Sequence, residues 1–182
     1  MQVGVHPVAG IVVLVLLHDG VRGGPVALAR PPQRLQGGVD KAAFMQFQAD
    51  AMKLTRERLR ADKGLIGFVG GPFTLYVYAA AGSHENAHDA LPGLDNGLYD
   101  GFNAKLLDLL AHNMSLQARA GAEVIAVMDT AAGEIDAVTY GTKVVPVLAD
   151  LLSRFRKIDP VTPVLYYSRG TGPAHWDQLA GL

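Results

Sequence analysis

Two kinds of apolar spacing alternate along the chain. Short unbroken runs recur at Leu65-Ile66-Gly67-Phe68-Val69, at Glu123-Val124-Ile125-Ala126-Val127-Met128 and at Pro163-Val164-Leu165-Tyr166-Tyr167. Continuous apolar runs of this length, closed by turn residues, predict strands of a parallel sheet covered by helices. Between them lie longer stretches with helical spacing: Lys41 to Arg60, Leu98 to Arg119, Ala137 to Lys157 and Pro173 to Leu179. In the first, Phe44, Phe47, Ala51, Leu54 and Leu59 follow one helix face, Asp40 is the expected N-cap, and Gly64 can end the segment. Arg56, Glu57, Arg58 and Arg60 make its other face an ordinary solvated one. In the second, Phe102, Leu106, Leu109, Leu110 and Leu116 supply the apolar face. Pro146 either kinks the third or starts its main segment. The strands start at 65, 123 and 163, so 58 and then 40 residues separate them. Each interval holds a helix and loops, as βαβ units require.

The remaining stretches are less regular. Ile11 to Leu17 is apolar, and no basic cluster precedes it, so a short strand is favoured over a signal peptide. His18-Asp19-Gly20 and Gly23-Gly24-Pro25 are turn signals, and Pro31-Pro32 through Gly37-Gly38 reads as a connector. His18 and Asp19 are acid–base residue types, but a polar pair beside glycine is the ordinary composition of a turn. Residues 1–38 thus separate from a more regular 39–182. Ala79 to Asn96, with Pro92-Gly93 and Asp95-Asn96-Gly97, is expected to be a loop.

Composition narrows the classes. The 182 residues suffice for one domain with a sizeable core, and 49% hydrophobic against 18% charged residues describes a globular chain. A net charge of -1 makes no electrostatic case for nucleic acid or an anionic membrane. No apolar run approaches the roughly 18 residues of a membrane span. The chain has no cysteine, which excludes disulfides, thiol nucleophiles and thiolate metal sites and fits a reducing cytoplasm.

Candidate chemistry collects after the strands. Gly70-Gly71-Pro72 allows a sharp turn with close backbone approach, and Pro72 suits the first turn of a helix running to Ala81. Asp129-Thr130-Ala131-Ala132-Gly133 puts a carboxylate, a hydroxyl and small residues after the second strand; Thr130 also fits a helix cap or loop bond. Ser168-Arg169-Gly170-Thr171-Gly172 follows the third and fits either a carboxylate-binding loop or a surface turn. One sharper motif stands apart. His84-Glu85-Asn86-Ala87-His88 has the H-E-x-x-H spacing of zinc hydrolases. Zinc chemistry needs both histidines on one helix face and a third ligand. Pro92-Gly93 cuts such a helix short, Leu91 occupies the position of the extended motif's glycine, and nothing selects among His112, Glu123 and Glu134 as a third ligand.

The wording of Leu65 to Ser83, LIGFVGGPFTLYVYAAAGS, resembles the uroporphyrinogen decarboxylase family. Members carry a Gly-Phe-(Ala/Val)-Gly-(Ala/Gly)-Pro-(Trp/Phe)-Thr-Leu segment ending in an active-site tyrosine, which maps to Tyr78. The family's Asp/Glu-Ser/Thr-x-Ala-Gly segment maps its substrate-site hydroxyl to Thr130. The likeness runs from about Ala42 through Gly172 and includes Leu54-Thr55-Arg56-Glu57-Arg58-Leu59. It implies a (β/α)8 barrel, of which this chain holds the middle three or four β/α units. It also implies a commonly dimeric enzyme that removes the acetate carboxyls of uroporphyrinogen to give coproporphyrinogen without metal or organic cofactor. Tyr78 would orient the reacting acetate, with Thr130 beside it and Phe68 as apolar wall.

The family's Arg-Gln-Ala-Gly-Arg type motif is absent from this sequence, the strand bearing its central aspartate has no convincing match in residues 1–38, and its late histidine would lie beyond Leu182. The catalytic residues are therefore unassigned. Two other readings follow: a non-catalytic barrel remnant that binds or assembles, and a corrinoid-linked methyltransferase relative, which the lack of cysteine ligands disfavours. A partial barrel leaves sheet edges and apolar faces uncovered. We therefore expect self-association in analytical ultracentrifugation; a stable, well-folded monomer would count against it.

Overall fold

A computed structural model of the chain describes residues 11–12, 45–83 and 86–182. Its strands are β1 (Ile11–Val12), β2 (Gly64–Gly70), β3 (Val124–Asp129) and β4 (Val164–Ser168). They pair in parallel in the order β1-β2-β3-β4. The helices are α1 (Gln46–Arg58), α2 (Pro72–Ala81), α3 (Ala87–Ala90), α4 (Leu98–Arg119), α5 (Ala137–Thr139), α6 (Val145–Ile158) and α7 (Pro173–Trp176). The α/β class and the parallel pairing are as the sequence predicts. The three full strands and their helices are consistent with part of a barrel wall, and the described strands do not close.

The helices cover one face of the sheet. Leu65 and Val69 on β2, and Ile125 and Val127 on β3, are buried beneath them. α4 packs on β2 and β3 and against α6. At the loop end, Phe73, Tyr76 and Tyr99 form an edge-to-face cluster, with centroids 6.2 Å apart for Phe73–Tyr99 and 5.0 Å for Tyr76–Tyr99. The other sheet face is apolar and open. Phe68 pairs with Ala126, and Ala126 with Leu165, so these three make one row across it; Gly70, Met128 and Tyr167 make the next. Phe68, Leu165 and Tyr167 are exposed.

Several expectations are corrected. In α1, Ala49 and Met52 are buried, whereas Phe47 and Leu54 are exposed, so the helix is rotated from the expected face. Phe47 and Ala51 instead border a small apolar cavity with Ile66, Phe68 and Gln117 at the β2 edge. Arg56 is no solvated charge: it donates to the carbonyls of Lys63 and Arg60 at 2.8 and 3.0 Å and to Glu123 at 3.1 Å. Gly64 opens β2 rather than ending a helix, and Asp40 lies outside the described residues. In α4, Leu110 is buried as expected, but the inner face runs through Tyr99, Leu107, Ala111 and Met114, leaving Phe102, Leu106, Leu109 and Leu116 at its margins. The described part of 79–96 carries the end of α2, then α3 and a 3-10 turn over Leu91–Leu94, more regular than a loop. Pro146 stands in the first turn of α6, after a π-helical turn at Tyr140–Val144, which answers the choice between kink and start.

One buried polar side chain closes the edge of β2. Leu65 accepts from Glu123 N–H at 2.8 Å, so alternate residues face β3 and Phe68 faces away. Among the described residues, β1 pairs with β2 at Gly64 and Leu65. At Phe68 the Gln117 amide takes the place of a strand: its Oε1 accepts from Phe68 N–H at 2.9 Å, and its Nε2 donates to Phe68 C=O at 2.9 Å. Gly67 makes room, since a Cβ there would stand 2.7 Å from Gln117 Oε1. Gln117→Ala strands two backbone groups at a half-covered edge, and we expect a loss of about 2 kcal/mol in urea unfolding. A loss under about 0.5 kcal/mol would show that water replaces the amide without cost.

Candidate functional site

The C-terminal ends of the strands gather the three candidate loops. β2 ends at Gly70, and the chain turns through Gly71 and Pro72 into α2. Gly71 N–H donates to Met128 C=O at 2.8 Å, which lays the turn across the end of β3. A Cβ at Gly71 would stand 2.4 Å from Asp129 Cβ and Cγ. The glycine is required by this approach and not by its φ of -65°.

Asp129 is fully buried beneath that turn. Its Oδ1 accepts from Thr74 N–H at 2.8 Å and from Thr74 Oγ1–H at 2.7 Å. Its Oδ2 accepts from the Tyr166 hydroxyl at 3.3 Å. Gly71, the N-cap of α2, has no side chain to cap with, so the carboxylate of the neighbouring strand takes that role. Thr74 Oγ1 in turn accepts from Ala131 N–H at 2.9 Å. Behind them the Tyr140 hydroxyl donates to that of Tyr166 at 3.1 Å. Burial pushes the Asp129 carboxyl above its ordinary pKa, and the bonds from Thr74, Tyr166 and Phe73 pull it back only in part. Tyr166 is also raised, by burial first and then by the Asp129 charge.

The loop after β4 touches this end. A Cβ at Gly133 would stand 2.4 Å from Arg169 O, so the 133 and 169 backbones lie in contact. Ser168 Oγ and Thr171 Oγ1 bond at 2.6 Å, and Trp176 Nε1 donates to Thr171 Oγ1 at 3.1 Å. Arg169 itself is exposed.

The residues singled out from the sequence fall as follows. Thr130 is half-buried directly after β3, between Asp129 and Ala131. Tyr78 lies on α2, one turn beyond Thr74, and is 46% exposed. Phe68 stands on the open sheet face, two residues before the end of β2, and is 47% exposed. The Thr74 bonds tie the first turn of α2 to the end of β3, so the elements bearing Tyr78 and Thr130 are joined. His84 and Glu85, like His18 and Asp19, lie outside the described residues. His88 is exposed on the one-turn α3 and pairs with Asp89 at 2.9 Å. His112 Nδ1 bonds Asp108 O at 2.8 Å, and Glu123 pairs with Arg56. Among the described residues no three His, Asp or Glu side chains gather as a metal ion would need.

Comparison with known proteins places the chain in a family. A family model described as uroporphyrinogen decarboxylase (URO-D) matches residues 24–182. The chain belongs to the uroporphyrinogen decarboxylase family. It is 28% identical over 149 residues to a uroporphyrinogen decarboxylase of Sulfurovum sp. (strain NBC37-1), covering 80% of this chain and 43% of that one. With the uroporphyrinogen decarboxylase of Sulfurimonas denitrificans it shares 26% over 151 residues, 81% of this chain and 44% of the relative. With that of Geobacter sp. (strain M21) it shares 31% over 129 residues, 69% and 38%. The chain thus spans under half the length of these curated relatives. The family match begins at residue 24, ahead of the boundary at 39 expected from the sequence.

Thr74, Tyr166 and Tyr140 carry the network that links the decarboxylase-family segments, and sequence reasoning passed over all three. Thr74 is the one aliphatic hydroxyl of an otherwise apolar and aromatic helix, a usable signal; Tyr140 and Tyr166 carry no such signal in the sequence. The buried Asp129 sets a pH dependence. A carboxyl whose pKa is raised by folding keeps in the folded chain a proton that the unfolded chain releases from the ordinary 3.8 upward. Its contribution is therefore most favourable at or below that pH and is lost as pH rises through the folded value. Asp129→Asn keeps an acceptor for Thr74 and does not titrate. We expect its stability relative to wild type, from urea unfolding, to improve as pH rises from about 4 toward neutrality; parallel curves would contradict this.

Proposed function

We propose that this chain is part of a uroporphyrinogen decarboxylase and supplies one wall of its tetrapyrrole site, with Tyr78, Thr130 and Phe68 as substrate-binding residues. What supports this reading is the coincidence of the family match with one strand-end cluster: the positions of the family's tyrosine and hydroxyl lie on two elements that Thr74 bonds together. In this reading the pyrrole is first protonated to a cation. The acetate's C–C bond then breaks, its electrons pass into the ring, CO₂ leaves, a proton added to the remaining methylene makes a methyl group, and the ring releases the proton it first took up, which restores the neutral pyrrole. Tyr78 donates a hydrogen bond to the reacting acetate and orients it, Thr130 binds beside it, and Phe68 is the apolar wall. The ring cation calls for a nearby carboxylate and the acetates for arginines. This reaction uses no cofactor, and the protein acts in the cytoplasm as a homo-oligomer.

A second reading is binding without turnover. The chain spans 43% of the length of a full relative, and the family's arginine motif does not occur in it. The two readings separate on incubation with uroporphyrinogen. We expect the folded chain to bind the tetrapyrrole and to form little or no coproporphyrinogen. Tyr78→Phe and Thr130→Ala should each weaken binding about five-fold, the worth of one hydrogen bond. Absence of binding, or variants that bind as wild type does, would overturn the assigned site; substantial turnover would remove the second reading.

A further inference from the structure

The Thr74 hydroxyl has two bonds, and they go to the residues on either side of Thr130. It donates to Asp129 at 2.7 Å and accepts from Ala131 N–H at 2.9 Å, while Thr74 N–H also donates to Asp129 at 2.8 Å. Thr74 and Asp129 are both buried, at 6% and 0% exposure, so water does not compete. Tyr78 follows Thr74 by four residues on α2, one helical turn along the same side. From this we infer that Thr74 and Asp129 are positioning residues: their bonds lock α2 to the end of β3 and so set Tyr78 and Thr130 relative to each other.

Three observations make the joint a stiff one. Gly71 lies against Asp129 with no room for a Cβ between them, so the turn into α2 packs directly on the carboxylate. Tyr166 supports the carboxylate from β4 and is itself held by Tyr140, so Asp129 is fixed from a second strand. The three donors taken up here, Thr74 N–H, Thr74 Oγ1–H and Ala131 N–H, belong to buried residues, so displacing α2 would leave polar groups unpaired. A helix held in this way carries Tyr78 as a lever, and a small rotation at Thr74 displaces the hydroxyl at the next turn. The consequence for substrate rests on the proposed tetrapyrrole site; the positioning itself does not.

The test reads Tyr78 directly. The six tyrosines are replaced by 3-fluorotyrosine in the full chain, and the Tyr78 fluorine signal is assigned with Tyr78→Phe. Thr74→Val keeps the side-chain shape and loses the hydroxyl; Thr74→Ser restores the hydroxyl. We expect the valine variant to move or split the Tyr78 signal by more than its linewidth and the serine variant to leave it in place. Should Thr74→Val fail to fold, Asp129→Leu takes its place, with Asp129→Asn as the variant that keeps the acceptor. A Tyr78 signal unmoved in either disrupted but folded variant overturns the inference, as does a serine variant that behaves like valine.

A second arm measures uroporphyrin binding in a double-mutant cycle of Thr74→Val with Tyr78→Phe. We expect Thr74→Val to weaken binding about three-fold alone and hardly at all once the Tyr78 hydroxyl is gone, because both remove one interaction. Additive losses would make Thr74 merely structural. A folded wild-type chain that does not bind uroporphyrin would overturn the tetrapyrrole reading and leave the fluorine result to decide the positioning.

Discussion

One carboxylate at the end of one strand organises the loop end of this sheet. Asp129 leaves β3 into a region closed to water, where an unpaired carboxylate would be costly. Its partners come from elements far apart in the chain: Thr74 on α2 and Tyr166 on β4. Satisfying it therefore requires those elements to meet. The sharp turn at Gly71, the docking of the first turn of α2 and the placement of Thr130 all follow from that requirement. The same buried site explains why an otherwise apolar helix carries a threonine at its start.

The sheet around this point is a wall with two different faces. The helix side is closed by Leu65, Val69, Ile125, Val127 and the aromatic cluster behind α2. The other side presents Phe68, Leu165 and Tyr167. A sheet apolar on both faces but covered on one is consistent with part of a barrel wall. That agrees with a chain spanning 43% of a full-length family member. The Gln117 amide shows how such a wall keeps its edge in order, by offering a residue of β2 the two hydrogen bonds a neighbouring strand would supply.

Strand and helix existence were legible because unbroken apolar runs and helical spacing are local signals. Helix faces were less so. In α1 the larger residues, Phe47 and Leu54, suggested the buried side, yet Ala49 and Met52 face the core, because close packing there needs small or flexible side chains. In α4 the buried face includes Asn103, Asn113 and Gln117, whose polarity hid it from a hydrophobic pattern. Arg56 read as a surface charge because its acceptors, the carbonyls of Leu59, Arg60 and Lys63 just past the helix and the carboxylate of the distant Glu123, leave no mark in a pattern of residue types.

By itself the sequence determined the α/β order, the glycine–proline turn after β2, and the wording around Tyr78 and Thr130 that marks the family. These depend on neighbouring residues and on local backbone chemistry. Only the tertiary structure decided that Thr74, four residues before Tyr78, bonds to both neighbours of Thr130. It also decided that Asp129, a strand-end carboxylate in the sequence, is a buried cap for a helix more than fifty residues earlier. Such bonds join positions whose separation along the chain carries no signal, and they exist only once the strands lie side by side.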